Sequence, residues 1–215
     1  MQRRTALKKI GLTFGALTLT PTVASLIQSC QSTEKGWSPT FLSSEQAQFV
    51  GQILEVMLPS TPAVPGAKEL NLIRFIDSFL ATTTNAENQE IFQLGLDLFT
   101  GITQTAVGQT ISTEITSEAI DSQLAYFLRA SDEKQAQWQR AFTDFTAAAR
   151  EGVSETPPLE GISHHFLVNL RNLSVKSFKT NEIIAKEHLI YAPVPGEQLG
   201  CVDLQEATAG KAWAL

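Results

Sequence analysis

The residues best suited to metal or redox chemistry in this sequence are two cysteines and three histidines. Cys30 and Cys201 are too few for a four-thiolate zinc site or a thiolate-bound iron–sulfur cluster, and their spacing does not fit a covalent haem attachment. His164 and His165 are adjacent, so on a helix their side chains point about 100° apart and cannot share one metal ion. We expect both to form local hydrogen bonds near a helix start, and His188 to contact the core from the C-terminal tail.

Sequence motifs for catalysis do not occur. Neither G-x-G-x-x-G nor G-x-x-x-x-G-K-[ST] is present, so the chain is not expected to bind FAD or ATP by those routes. The G-x-S-x-G and H-E-x-x-H motifs are also absent. The sequence therefore predicts no catalytic, cofactor-binding or metal-binding residue, and it predicts that Asp77, Asp121 and Asp132 are solvated carboxylates.

The length and composition are those of a globular protein with one domain. The chain has 215 residues, of which 43% are hydrophobic and 18% are charged, enough apolar side chains for a sizeable core. The formal net charge is -6, which argues against nucleic acid as a partner. Residues 1–29 contain four basic and no acidic residues, so the remainder carries 12 basic against 22 acidic side chains.

The N-terminal segment, residues 1–29, has the three-part layout of a signal peptide: a basic start, an apolar stretch at 10–19, and a region of small residues. Its basic part resembles a twin-arginine export signal, although Gln2 and Ala6 differ from the usual residues. Proteins exported by that route are already folded when they cross the membrane. The residues that match the signal are Arg3, Arg4, Leu7 and Lys8.

Cys30 follows the signal segment directly and resembles the lipidated cysteine of a lipoprotein. If lipidated, it would be the mature N-terminus and would hold the protein at a membrane surface through acyl chains. Residues 30–40 would then form a short polar tether. The alternative is signal-peptide cleavage near residues 22–24, which would leave Cys30 able to pair with Cys201. We favour lipidation, because the polar residues after Cys30 then serve as that tether.

Beyond the tether, hydrophobic periodicity predicts an all-α domain over residues 41–215, a single bundle-like unit of about six helices. Ser43 and Gln46 have the spacing of a capping box, and the apolar residues after them recur at helical intervals. Ser163 is predicted to cap the sixth helix. Further helices are predicted over residues 67–81, 87–107, 117–128 and 132–150, with a short helical turn through residue 184.

Two irregular segments are rigidified by proline, a loop at 59–66 and the tail after residue 187. Trp213 lies close to the chain end, where a large aromatic side chain gains little unless it packs on this domain or on a partner. Because neither segment is expected to supply the main core, we predict that they form a partner interface. The predicted interface residues are Pro59, Pro62, Pro65, Gly66, Tyr191, Pro193, Pro195 and Trp213.

Taken together, these motifs resemble the family of gluconate 2-dehydrogenase subunit 3, the small subunit of membrane-associated flavin dehydrogenases. The resemblance extends over nearly the whole mature chain, and the order and spacing of the motifs carry it. The matching segments are MLPSTP at 57–62, PGA at 65–67, FID at 75–77, FKTNE at 178–182, YAPVPG at 191–196, Gly200-Cys201 and Trp213. Ser60 and Asn181 depart from the residues common in that family.

The resemblance implies a non-catalytic subunit of a periplasmic, membrane-associated complex. A large FAD-containing subunit of the glucose-methanol-choline type would oxidise a sugar, sugar acid or alcohol, and a cytochrome c subunit or another acceptor would take the electrons. The small subunit would supply the signal recognised by the twin-arginine translocase and would support maturation and stability of the flavoprotein. FAD is thus expected in the partner and no cofactor in this chain.

A second interpretation comes from the lipoprotein-like cysteine alone. The chain would then be a helical scaffold or binding protein, tethered to the membrane through Cys30, without a redox partner. A co-purifying flavin or a neighbouring oxidoreductase gene would distinguish the two interpretations.

Overall fold

The computed structural model describes residues 37–192, 196 and 201–214, and in these residues the fold is all-α, as predicted. The helical unit begins at Pro39. The α-helices are α1 (Ser44–Met57), α2 (Leu72–Thr83), α3 (Ala86–Val107), α4 (Ser117–Leu128), α5 (Asp132–Arg150), α6 (Leu159–Thr180) and α7 (Leu204–Thr208). A 3-10 turn spans Ser112–Glu114 and a π-helical turn spans Ile184–His188.

Helix starts that carry a capping side chain in the sequence are predicted well. At α1, Ser43 accepts a hydrogen bond from the backbone N–H of Gln46, and the Gln46 side chain accepts one from the Ser43 N–H, which confirms the capping box. At α4 the Thr116 hydroxyl accepts a hydrogen bond from the Ala119 N–H, and at α5 the Ser131 hydroxyl accepts one from the Lys134 N–H. Each of these side chains satisfies an amide that has no partner within its helix.

The second helix begins later than the sequence predicts. It starts at Leu72 rather than 67, because Asn71 adopts a left-handed conformation with φ of 52° and interrupts the helix. Asparagine is one of the few residues that tolerate this region. Residues 67–71 form a turn instead, in which the Leu72 N–H donates to the Ala67 carbonyl at 3.0 Å.

The sixth helix begins earlier than predicted. Pro158 stands at its N-cap, and Ser163, predicted to be the cap, lies inside the helix with no exposed surface. Its hydroxyl has no hydrogen-bond partner in the structure. The prediction was wrong because proline is itself a common residue at a helix start, where its missing N–H costs nothing.

Helix α6 is the centre of the bundle and contacts α2, α3, α4 and α5. Two glycines allow these close approaches. A Cβ atom at Gly95 on α3 would lie 2.5 Å from the Cβ atom of Phe166, and one at Gly161 would lie 2.9 Å from the Trp138 carbonyl oxygen on α5. Gly95, which lowers the intrinsic helix propensity of α3, is therefore required by packing.

Phenylalanines form the middle of the core. The Phe99 ring lies 6.1 Å from Phe127 and 6.0 Å from Phe166, and Phe166 makes an edge-to-face contact with Phe92 at 5.0 Å. Phe49 stacks on Phe99 from α1. These contacts connect α1, α3, α4 and α6, and aromatic pairs at these distances stabilise a core beyond their buried area.

Candidate functional site

The loop between α1 and α2 is a closed turn fixed by its own backbone. The Ala67 N–H donates to the Leu58 carbonyl at 2.8 Å, and the Gly66 N–H donates to the Ser60 hydroxyl at 3.1 Å. A Cβ atom at Gly66 would lie 2.4 Å from the backbone nitrogen of Ser60. The PGA motif therefore needs glycine at its second position, because any side chain would force the loop open.

The predicted interface residues of this loop differ in exposure. Pro59 and Pro62 are exposed, Pro65 is half-buried, and Gly66 is buried beneath Ser60. Gly66 thus shapes the loop, and the two exposed prolines form its outer surface.

The C-terminal segment, residues 190–214, is closed by contacts between its first residue and its last ones. An isolated parallel bridge joins Ile190 to Trp213. The Ile190 N–H donates to the Ala212 carbonyl and the Ala214 N–H donates to the Ile190 carbonyl, both at 2.9 Å. Between these points, Asp203 caps the short helix α7. The backbone at both ends of the tail therefore has a defined position.

Side chains of this segment remain exposed although its backbone is fixed. Trp213 is 51% exposed and Tyr191 is 52% exposed. Pro193 and Pro195 lie outside the described residues. Tyrosine and tryptophan are the residues most enriched where a few side chains dominate binding to a partner. Among the described residues of this segment, the exposed large apolar side chains are Tyr191, Val202, Leu204 and Trp213.

The loop and the tail are each held by their own contacts. Within the described residues, no hydrogen bond joins 58–67 to 190–214. The two predicted interface elements are therefore described as separate surfaces.

Asp77 has a role that the sequence reading missed. Its side chain is fully buried, and its carboxylate accepts hydrogen bonds from the backbone N–H groups of Thr40, Phe41 and Leu42 at 2.7, 3.0 and 2.9 Å. The prediction of a solvated carboxylate was wrong. A signal was available, because Asp77 occupies the same helix stripe as the buried Ile76 and Leu80.

The family model described as gluconate 2-dehydrogenase subunit 3 matches residues 44–196. The chain belongs to this family. No similar protein is found among curated sequences or among solved structures. The matched range begins at the first residue of α1 and includes the closed loop, Asp77, α6 and Tyr191. Most segments that carry the resemblance in the sequence therefore lie within the gluconate 2-dehydrogenase subunit 3 family model, whereas Gly200-Cys201 and Trp213 lie beyond it.

In this gluconate 2-dehydrogenase subunit 3 chain, the predicted export and anchoring residues cannot be placed. Arg3, Arg4, Leu7, Lys8 and Cys30 all lie outside the described residues. Cys201 is exposed. The choice between lipidation of Cys30 and its pairing with Cys201 therefore stays a prediction.

The adjacent histidines lie inside α6, beyond its first turn. His165 stacks on the Phe142 ring at 3.7 Å, and its Nε2 atom lies 2.7 Å from Nδ2 of Asn169, a local hydrogen bond as predicted. His164 is 5% exposed, and neither ring nitrogen has a partner, contrary to prediction. Burial lowers the pKa of His164, and the positive charge of Arg171 adds to this shift, so the neutral form is favoured.

Four side chains join the ends of α4, α5 and α6. The Tyr126 hydroxyl and the Trp138 indole N–H both donate to the Glu160 carboxylate, the latter at 3.0 Å. The Lys134 ammonium donates to the Tyr126 hydroxyl at 2.9 Å. The hydrogen bond from Tyr126, followed by that from Trp138, lowers the pKa of Glu160, and the positive charge of Lys134 adds to this shift. The cluster fixes the first turn of α6, where a negatively charged carboxylate also interacts favourably with the helix dipole.

No group of three or more histidine, cysteine, aspartate or glutamate side chains among the described residues could hold a metal ion. None of the helices in this part of the chain is sufficiently long and apolar to cross a membrane.

Proposed function

We propose that the chain is the non-catalytic small subunit of an exported FAD-dependent dehydrogenase complex. A large flavoprotein subunit of the glucose-methanol-choline type binds FAD and oxidises a sugar, a sugar acid or an alcohol. The observation that carries this proposal is the family match over residues 44–196, because the family is a subunit of a dehydrogenase complex.

The C-terminal segment is the proposed docking surface. Trp213 and Tyr191 are half-exposed, whereas the Ile190–Trp213 bridge fixes the backbone beside them. A partner that covers these aromatic side chains gains apolar burial, and its binding favours the bridged backbone that presents them. The exposed prolines of the closed loop, Pro59 and Pro62, provide a second rigid contact.

Export is proposed to follow from docking. The small subunit binds the folded flavoprotein in the cytoplasm, and the twin-arginine signal of the small subunit directs the pair through the translocase. Lipidation at Cys30 then keeps the complex at the periplasmic face of the membrane, where a cytochrome c subunit accepts electrons. The basic pair Arg3 and Arg4 in the sequence supports this proposal.

The test is purification of the tagged full-length protein from its own cells, followed by an absorption spectrum and identification of bound proteins. A yellow preparation with a large flavoprotein is the expected result. A colourless, solitary chain recovered from membranes would contradict the proposal and favour the lipid-anchored scaffold.

A second experiment tests the export step alone. Replacement of both Arg3 and Arg4 by lysine should leave the flavoprotein in the cytoplasm, whereas the unchanged chain should carry it to the periplasm. Continued export of the flavoprotein with the lysine variant would refute the proposed role in transport. It would not contradict the proposal that the two subunits form a complex.

A further inference from the structure

A cleft of about 380 Å³ lies between α2, α3 and α6. The buried rings of Phe92 and Phe166 line its inner part, and Phe79 and Ile91 contribute apolar walls. A volume in this range and a mainly apolar lining are typical of sites for small molecules.

One face of α6 gives the cleft a polar side. His165, Asn169, Asn172 and Lys176 line it at intervals of four, three and four residues, which places them in one row along the helix. Asn88 faces the same cleft from α3. The side chains of Asn88 and Asn172 form no hydrogen bond within the described residues, so their amide groups can bind a molecule in the cleft.

The charge of the cleft differs from that of the rest of the chain. Lys176 is the one charged residue among the described residues that line the cleft, although acidic residues outnumber basic ones in the sequence. Its ammonium group lies over the Phe79 ring, 4.8 Å from the centroid. No ion pair of Lys176 is found among the described residues. The cleft therefore combines an unneutralised cation, free amides and an apolar wall.

We propose that this cleft binds a small hydroxylated carboxylate. The carboxylate pairs with Lys176, the hydroxyl groups hydrogen-bond to Asn88 and Asn172, and the carbon skeleton packs against Phe79 and Ile91. A carboxylate fits better than a neutral molecule because a charge-assisted hydrogen bond to an ammonium is stronger than a neutral one. The inference rests on the cleft alone and does not depend on the proposed docking of a flavoprotein.

Isothermal titration of the purified full-length chain tests the proposal with three ring compounds. Quinate carries both a carboxylate and hydroxyl groups, myo-inositol carries the hydroxyls without the charge, and cyclohexanecarboxylate carries the charge without the hydroxyls. We expect saturable binding of quinate, and affinities at least about tenfold lower for the other two, corresponding to one lost polar interaction. Absence of saturable binding with both quinate and the open-chain hydroxy acid threonate would overturn the proposal.

Variants show whether binding occurs in this cleft. Lys176→Gln should weaken quinate binding about tenfold or more, whereas Lys179→Gln, on the same helix but outside the cleft lining, should not change it. Asn172→Ala should weaken quinate binding and leave that of cyclohexanecarboxylate unchanged. Lys176 and Asn172 are exposed side chains, so both variants should fold, which circular dichroism would verify. Equal quinate affinity in the unchanged chain and in Lys176→Gln would place any binding elsewhere and overturn the proposal.

Discussion

The backbone N–H of Leu42 donates a hydrogen bond to the buried Asp77 carboxylate at 2.9 Å. Together with the amides of Thr40 and Phe41, it satisfies the buried carboxylate. These bonds fix the backbone of residues 40–42 directly before the cap of α1 and hold it against α2.

Replacement of Asp77 should destabilise the domain strongly. Asp77→Ala leaves three amides without their acceptor, and we expect the free energy of unfolding to fall by about 3 kcal/mol or more. Asp77→Asn retains one acceptor oxygen and should cost somewhat less. Urea denaturation measures the change, with Asp121→Asn, an exposed residue on α4, as the matched control. Equal midpoints for the variants of Asp77 and Asp121 would contradict the structural role of Asp77.

Two glycines on α3 should respond to alanine in opposite directions. Gly95→Ala places a Cβ atom 2.5 Å from Phe166, and overpacking of this kind costs about 1–3 kcal/mol. Gly101 has open space around its Cβ position, so Gly101→Ala should stabilise the domain by up to about 1 kcal/mol through helix propensity. Thermal unfolding of both variants provides the comparison. Stabilisation by both alanines would show that α3 and α6 are not in close contact at Gly95.

His164 should make the stability of the domain depend on pH. Burial lowers its pKa in the folded chain below the ordinary value of 6.5, so the unfolded chain binds the proton first as the pH falls. The free energy of unfolding should therefore decrease below pH 6.5, and His164→Leu should show a smaller decrease. Urea titrations at pH 7.5, 6.5 and 5.5 would measure this dependence. The same decrease in both proteins would assign the effect to other groups, such as His165.

Trp213 should matter for the partner more than for the fold. Its side chain is half-exposed, so Trp213→Ala should change the stability of the isolated chain little. If it anchors the flavoprotein, recovery of that subunit should fall strongly, since a central anchor contributes about 2 kcal/mol or more. Val153→Ala, also half-exposed but outside the C-terminal segment, is the control for co-purification. Equal recovery with both variants would exclude Trp213 from the interface.

Local sequence patterns predict those parts of the fold that local interactions determine. The caps at Ser43 and Ser131 and the bounds of α4 and α5 follow from residues a few positions apart. The start of α2 could not be predicted in this way, because the left-handed conformation of Asn71 interrupts a continuous apolar pattern.

Long-range contacts account for most of what the sequence did not show about function. The burial of Asp77 depends on amides more than thirty residues away, and the cleft beside Lys176 is formed by three helices. Tyr191 and Trp213 were predicted from the sequence as interface residues; the structure shows both side chains exposed, and their role in an interface stays a prediction. How they are attached, through Ile190, required the structure.

The bridge between Ile190 and Trp213 also closes a loop of the backbone through two hydrogen bonds. Closing a loop of roughly twenty residues costs about 3 kcal/mol in chain entropy, whereas two backbone hydrogen bonds together return about 2 kcal/mol. The net free energy of closing this loop is therefore close to zero. The amide protons of Ile190 and Ala214 should exchange with solvent faster than those inside α6. A bound flavoprotein would shift that balance, so slower exchange at these two amides would record assembly of the complex.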